Sequence, residues 1–270
     1  MNTLRTTGWR PWRVALGMVS GLVLAGAALA QPTEAVVDVP TRPGVTVRAL
    51  HLASPEARAS VILLAGGHGG LQLGSDGRIG WGGGNFVVRT RARWAAAGLN
   101  VLVPDAPSDR QSPPFLSGQR QKPEHLADIE ALVAWLRARS PGPVWLVGTS
   151  RGTQSAGYVG TELPPPRGPD GLVLTATILT DPQGRAVPAM PLDRLKVPVL
   201  LVHHRQDGCS HCAPERAPAL LAALGSAPRS ELLWFDGGIN RGDPCEAAGH
   251  HGFAGLDAAV VEAAAAWVLR

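Results

Sequence analysis

Hydrophobic positions along the chain change rhythm near residue 60. Before that point "AVVDVP" and "VTVRALHL" alternate apolar with polar residues, as half-buried strands do, and Pro43-Gly44 separates them as a turn. They predict an antiparallel pair over residues 34–52. From Ser60 onward the apolar runs become continuous. "SVILLAGG", "LNVLVPD", "PVWLVG", "GLVLTATILT", "VPVLLVHH" and "SELLWFD" each read as a strand, the continuous runs as strands covered on both faces. Helical stretches lie between them. Residues 85–98 start at Asn85 as an N-cap and stop at Gly98, and Leu126, Ile129, Leu132, Val133 and Leu136 recur at helical spacing. The small-residue segment after Ser150, "PERAPALLAALG" and the Ala-rich "GLDAAVVEAAAAWVL" complete the series. Such alternation implies right-handed crossovers and a mostly parallel sheet with helices on both faces.

The chain has 270 residues, 45% of them hydrophobic, enough for one large α/β domain over residues 31–270. Its first 30 residues stand apart. Arg5, Arg10 and Arg13 precede an apolar stretch that ends in Ala28-Leu29-Ala30, the pattern of a cleavable secretory signal peptide. An uncleaved anchor is the alternative, although the run is short and Gly-rich for a spanning helix. The leader carries three Arg and no acid, so the formal charge of +4 shrinks to 22 basic against 21 acidic residues without it. That is no footprint for nucleic acid, and no later segment could span a membrane. Export would place the three cysteines where a disulfide persists.

The candidate chemistry starts at "PVWLVGTSRGTQ". A buried strand runs into G-x-S-x-G and then a helix, so Ser150 would be lifted clear of the sheet, with Gly148 and Gly152 leaving room for neighbouring backbone. Context matters here. With 33 Gly and 13 Ser, chance alone supplies roughly 0.2 such matches. A glycine turn whose serine merely caps the next helix is the bland reading. A catalytic serine needs a base and an orienting acid downstream. Asp207 lies just past "VPVLLVHH", and Asp181, past the preceding strand, is its rival. His250 and His251, just ahead of the last helix, are the candidate bases.

These features together resemble the α/β-hydrolase superfamily over essentially the whole of residues 31–270. The resemblance rests on "GTSRG", "LLAGGHGG", "HHRQD" and "HHGF". It implies an uncapped α/β-hydrolase fold and a serine hydrolase acting on a small-molecule carboxylic ester, with no cofactor. It favours Asp207 as acid and His251 over His250 as base. It implies an oxyanion hole from the backbone N–H of Arg151 and a second N–H at Gly67 or His68, although "AGGHGG" departs from the usual His-Gly start of that turn. His68 itself reads equally as a surface or hydrogen-bonding residue. The resemblance further favours a disulfide from Cys209, rather than Cys212, to Cys245. Amide or peptide cleavage on the same triad is the runner-up.

A different class of reading uses "HHRQDGCSHC". His203, His204, Asp207, Cys209, His211 and Cys212 are all metal-ligand types, and C-x-x-C is a zinc or redox spacing. Against it, there is no second C-x-x-C, and adjacent residues on a strand end point to opposite faces. An inactive binding protein on a hydrolase fold is a third reading. The long links over residues 66–84 and 106–122 would shape an uncapped site, but their composition names no acyl or alcohol group.

Overall fold

The computed structural model describes residues 1–4, 8, 33–54, 56–182 and 184–270. The signal-peptide reading over residues 1–30 therefore lies, apart from residues 1–4 and Gly8, outside the described residues. Among those described, no helix is long and apolar enough to cross a membrane.

Among the described residues eight strands form one sheet: β1 Thr33–Arg42, β2 Val45–Ala53, β3 Ala59–Leu64, β4 Leu99–Pro107, β5 Val144–Thr149, β6 Gly171–Thr175, β7 Val199–His204 and β8 Ser230–Phe235. Their spatial order is β1-β2-β4-β3-β5-β6-β7-β8. The two alternating segments pair antiparallel, as their pattern predicts, and β2 also runs antiparallel to β4. The remaining pairings are parallel. β3 to β7 are buried along their whole length, which is why their sequences carry no polar alternation.

Two cores result, one on each face. Along β3, Val61 and Leu63 face one way, with α1 (Phe86–Arg89), α2 (Arg91–Ala96) and α6 (Asp257–Val268). Ile62 and Leu64 face the other, with α3 (Pro123–Arg137), α4 (Gly152–Glu162) and α5 (Ala217–Ala223). Each fully buried Leu, Ile or Val contributes roughly 1.5–3 kcal/mol of burial. No separate cap domain is built onto the sheet among the described residues.

Two elements differ from their sequence-predicted extents. The helix over residues 85–98 is split at Thr90, whose hydroxyl donates to the Phe86 carbonyl at 2.7 Å, and Asn85 makes no side-chain cap bond. Gly98 does end it, at φ +84°. The strand read through "GLVLTATILT" stops at Thr175, because Ala176 turns into the left-handed region at φ +43°. The carboxyl ends of β3, β5, β6 and β7 then lie along one edge of the sheet, where folds of this kind gather their sites.

Candidate active site

At that edge β5 ends in Thr149 and α4 begins at Gly152, leaving two residues for the reversal. Ser150 takes φ +50°, a conformation that costs a non-glycine residue free energy and persists only where its surroundings impose it. Its N–H donates to Thr175 O at 3.0 Å. Its carbonyl accepts from the Thr153 N–H at 2.9 Å and the Thr153 hydroxyl at 2.6 Å. The flanking glycines are sterically required. A Cβ on Gly148 would stand 2.5 Å from Gly152 O, and one on Gly152 2.0 Å from Leu64 O.

Asp207 follows β7 by three residues, and His251 sits in a single 3-10 turn ahead of α6. The two meet: His251 Nδ1 lies 2.9 Å from Asp207 Oδ2, with both side chains buried. The other Asp207 oxygen accepts the Cys209 N–H at 2.9 Å. Cys209 is disulfide-bonded to Cys245, with Cα atoms 4.6 Å apart, so the loop before α6 is tied to the loop carrying the acid. Asp181 is placed elsewhere, 2.8 Å from Arg151 Nη1 and 2.9 Å from Gln154 Nε2. His250 stacks on His204 at 4.2 Å and has Nδ1 3.1 Å from Gln206 O. Of the four candidates, Asp207 and His251 are the ones brought together.

Ser150 and His251 line one cleft of about 240 Å³ with Gly67, Trp81 and Cys245. His251 Nε2 is buried there without a hydrogen-bond partner among the described residues. Cys212 is free and buried nearby. Burial, and next the Asp207 charge, push its thiol well above the usual range, so it stays a neutral, weak nucleophile.

The glycine loop after β3 forms the opposite wall. Gly67 has φ +56°, and a Cβ there would lie 2.5 Å from the Trp81 ring. The His68 imidazole is sandwiched between Trp81 at 3.7 Å and Phe115 at 4.4 Å, and its Nδ1 accepts the Gly70 N–H at 3.1 Å. Burial lowers its pKa. Among the described residues, the backbone N–H groups of Gly67, His68 and Arg151 have no protein acceptor.

Two residues that the sequence reading gave no role hold this loop. The Asp105 carboxylate accepts the N–H groups of Leu71, Leu73 and Ala106. Arg120 donates to Ala65 O at 2.9 Å, Gly67 O at 3.1 Å and Ser155 Oγ at 3.0 Å. Arg120 is only 5% exposed, and burial, with the Arg151 charge second, brings its pKa down to about 9. An acid closing the buried run "LNVLVPD" was a signal for Asp105. Nothing in "SGQRQK" marked Arg120.

The His/Cys segment is mostly committed to other bonds. Cys209 is in the disulfide. His203 Nε2 accepts the Thr177 N–H at 3.3 Å, and burial pulls its pKa to about 4. His204 Nδ1 accepts the Gln206 N–H at 3.0 Å, while its Nε2 lies 3.0 Å from Gly237 O. His211 Nδ1 lies 3.2 Å from Thr180 O. Cys209, Cys212 and His251 do bring ligand atoms within 4.8 Å of one another. The first of these sulfurs is already bonded.

No protein-family description matches the chain, and no curated protein matches it. Solved structures do. A dienelactone hydrolase from Anabaena variabilis superposes with a TM-score of 0.60 at 18% identity, covering 89% of this chain and 98% of that one. An esterase from Pyrococcus furiosus gives 0.61 at 15% identity, over 88% and 91%. Est1E from Butyrivibrio proteoclasticus, solved with ferulic acid bound, gives 0.58 at 16% identity, over 86% and 98%. What is shared at such identities is the fold. This chain has the α/β-hydrolase fold.

Proposed function

We propose that this chain is an exported serine hydrolase that cleaves carboxylic esters through an acyl-enzyme intermediate. The observation that carries the reading is the buried Asp207–His251 pair, 2.9 Å apart, opening onto the same cleft as a Ser150 held at φ +50°. Asp207 fixes the ring orientation of His251 and stabilises the imidazolium. His251 Nε2 has no hydrogen-bond partner among the described residues, Ser150 Oγ included, and in the reaction it takes the Ser150 proton as Oγ attacks the ester carbonyl. The developing oxyanion is received by the free N–H groups of Arg151 and of Gly67 or its neighbour His68, each such donor worth about 3 kcal/mol. His251 returns the proton to the leaving alcohol, and water then releases the acid by the same route. The Cys209–Cys245 bridge supports an oxidising destination.

The exported chain, expected by mass to begin at Gln31, should hydrolyse activated esters and be labelled by a serine-directed phosphonate. Ser150→Ala should abolish labelling and lower kcat by about 10⁴-fold or more, with the fold intact by circular dichroism. A panel pairing each ester with its amide then separates esterase from amidase. Full activity in Ser150→Ala would overturn the mechanism.

A further inference from the structure

A second cavity opens beside the elbow, and the hydrolytic steps above make no use of it. Arg151, the residue after Ser150, lines it, while Ser150 itself lines the other cleft; the cavity measures about 540 Å³ and lies between the loop ahead of α3 and the loop after β6. Among the described residues, four cationic side chains line it, Arg120, Lys122, Arg151 and Arg185, against the one carboxylate of Asp181. That carboxylate is already engaged by Arg151 and Gln154.

Arg185 is held in place with donors to spare. Its carbonyl accepts from Gln121 Nε2 at 2.7 Å and from Gln154 Nε2 at 3.1 Å, and its Nε donates to Gln121 Oε1 at 2.9 Å. Its two terminal amino groups have no acceptor among the described residues. A guanidinium fixed in this way presents a planar fork of N–H groups that matches a carboxylate. Deeper in the cavity, Arg120 is bound by carbonyls and a hydroxyl but by no carboxylate among the described residues, and its buried Nε lacks any acceptor. A buried cation without a counter-charge is unfavourable, and an anion in the cavity would relieve it. Lys122 stands exposed at the rim, where a long cationic side chain can attract an arriving anion.

We propose that this cavity receives the free carboxylate of an anionic ester. The preferred substrates are then half-esters of dicarboxylic acids, with the carboxylate on Arg185 and the ester carbonyl over Ser150. The ester half of this statement rests on the hydrolase reading, while the anion half rests on the cavity alone.

The test compares kcat/KM for monoethyl glutarate and monoethyl adipate with that for neutral ethyl pentanoate, alongside calorimetric titration with glutarate. The native chain should favour an anionic ester by about tenfold or more. Arg185→Gln should collapse that ratio towards one and weaken glutarate binding by a similar factor. Arg185→Lys should recover part of both, because it keeps the charge and loses the fork. Using a ratio cancels any general loss of active protein. Raising salt should shrink the preference. A ratio near one in the native chain, or a ratio and glutarate affinity that survive Arg185→Gln, would overturn the proposal. If none of the three esters, nor an activated ester, turns over while glutarate binding still depends on Arg185, the hydrolase reading fails and the anion site stands.

Discussion

The two walls of the cleft are held by different means. The glycine-loop wall is buried, and buried side chains hold it: Asp105 takes three backbone N–H groups, and Arg120 binds the carbonyls of Ala65 and Gly67. The histidine wall is buried at residues 251–253, where Arg89 donates to Gly252 O at 2.6 Å and to Ala247 O at 3.3 Å, but the chain leading to it is not. Residues 236–246 are exposed throughout and form no strand or helix, and there the chain uses the Cys209–Cys245 bond together with the Asp207–His251 contact. The difference follows from burial. Charged or polar side chains hold backbone firmly where water is excluded, because leaving the partner bonds unmade is costly there. Exposed chain offers no such penalty, so a covalent tie restricts it instead.

The strongest way to break the comparison is on the buried wall. Asp105→Ala would leave three N–H groups without their acceptor beneath the glycine loop. Each buried orphan costs about 1–3 kcal/mol, so a total loss near 4 kcal/mol is expected in chemical denaturation, with kcat falling in whatever fraction stays folded. Asp105→Asn keeps one acceptor oxygen and should lose less. A loss under 1 kcal/mol in Asp105→Ala would mean that Arg120 and the aromatic stack hold the loop without it.

On the covalent wall, reduction or Cys245→Ser opens a crosslink between residues 36 apart. The chain-entropy account makes this worth about 3–4 kcal/mol. Asp207 and His251 would then rely on their own contact, so kcat should fall more than KM rises. Unchanged stability and activity after verified reduction would show that the bridge restrains nothing that matters to the site.

Most of the sheet was legible because its strands are buried on both faces. A run such as "SVILLAGG" has few alternative fates, and Leu64 and Thr149 do end where the apolar runs break. The elbow was legible for a steric reason, since only glycine fits at 148 and 152. The meeting of His251 with Asp207 was legible only in outline. Choosing between His250 and His251 depends on a single 3-10 turn whose direction no periodicity encodes. Arg120 and Arg185 were not legible at all. Each acquires its place from partners distant in sequence, Ser155 and the 65–67 carbonyls in one case and Gln121 in the other. Helix splitting at Thr90 was likewise hidden, because a hydroxyl's choice between solvent and the carbonyl four residues back is made by packing.

The smallest expected effect separates the walls by acid. Each has a deeply buried histidine whose pKa is pulled far down: His203 under the acid loop, to about 4, and His125 on α3 near Arg120, to about 3. Burial is the main cause for both, with the Arg120 charge second at His125. An unfolded histidine titrates near 6.5, so between that value and the folded pKa only the unfolded chain takes up the proton. The stability these neutral rings contribute is therefore complete above about pH 6.5 and is lost as pH falls towards 4 and 3. At pH 5 the loss per histidine is roughly 2 kcal/mol. His125→Leu, which keeps the site apolar, should reduce the drop in unfolding free energy between pH 7 and pH 5 by about that amount and leave the His203 share in place. Urea titrations of both proteins at the two pH values measure it directly. An unaltered pH dependence in the variant would mean that His125 reaches solvent before the fold opens, and that the buried wall is looser than its hydrogen bonds indicate.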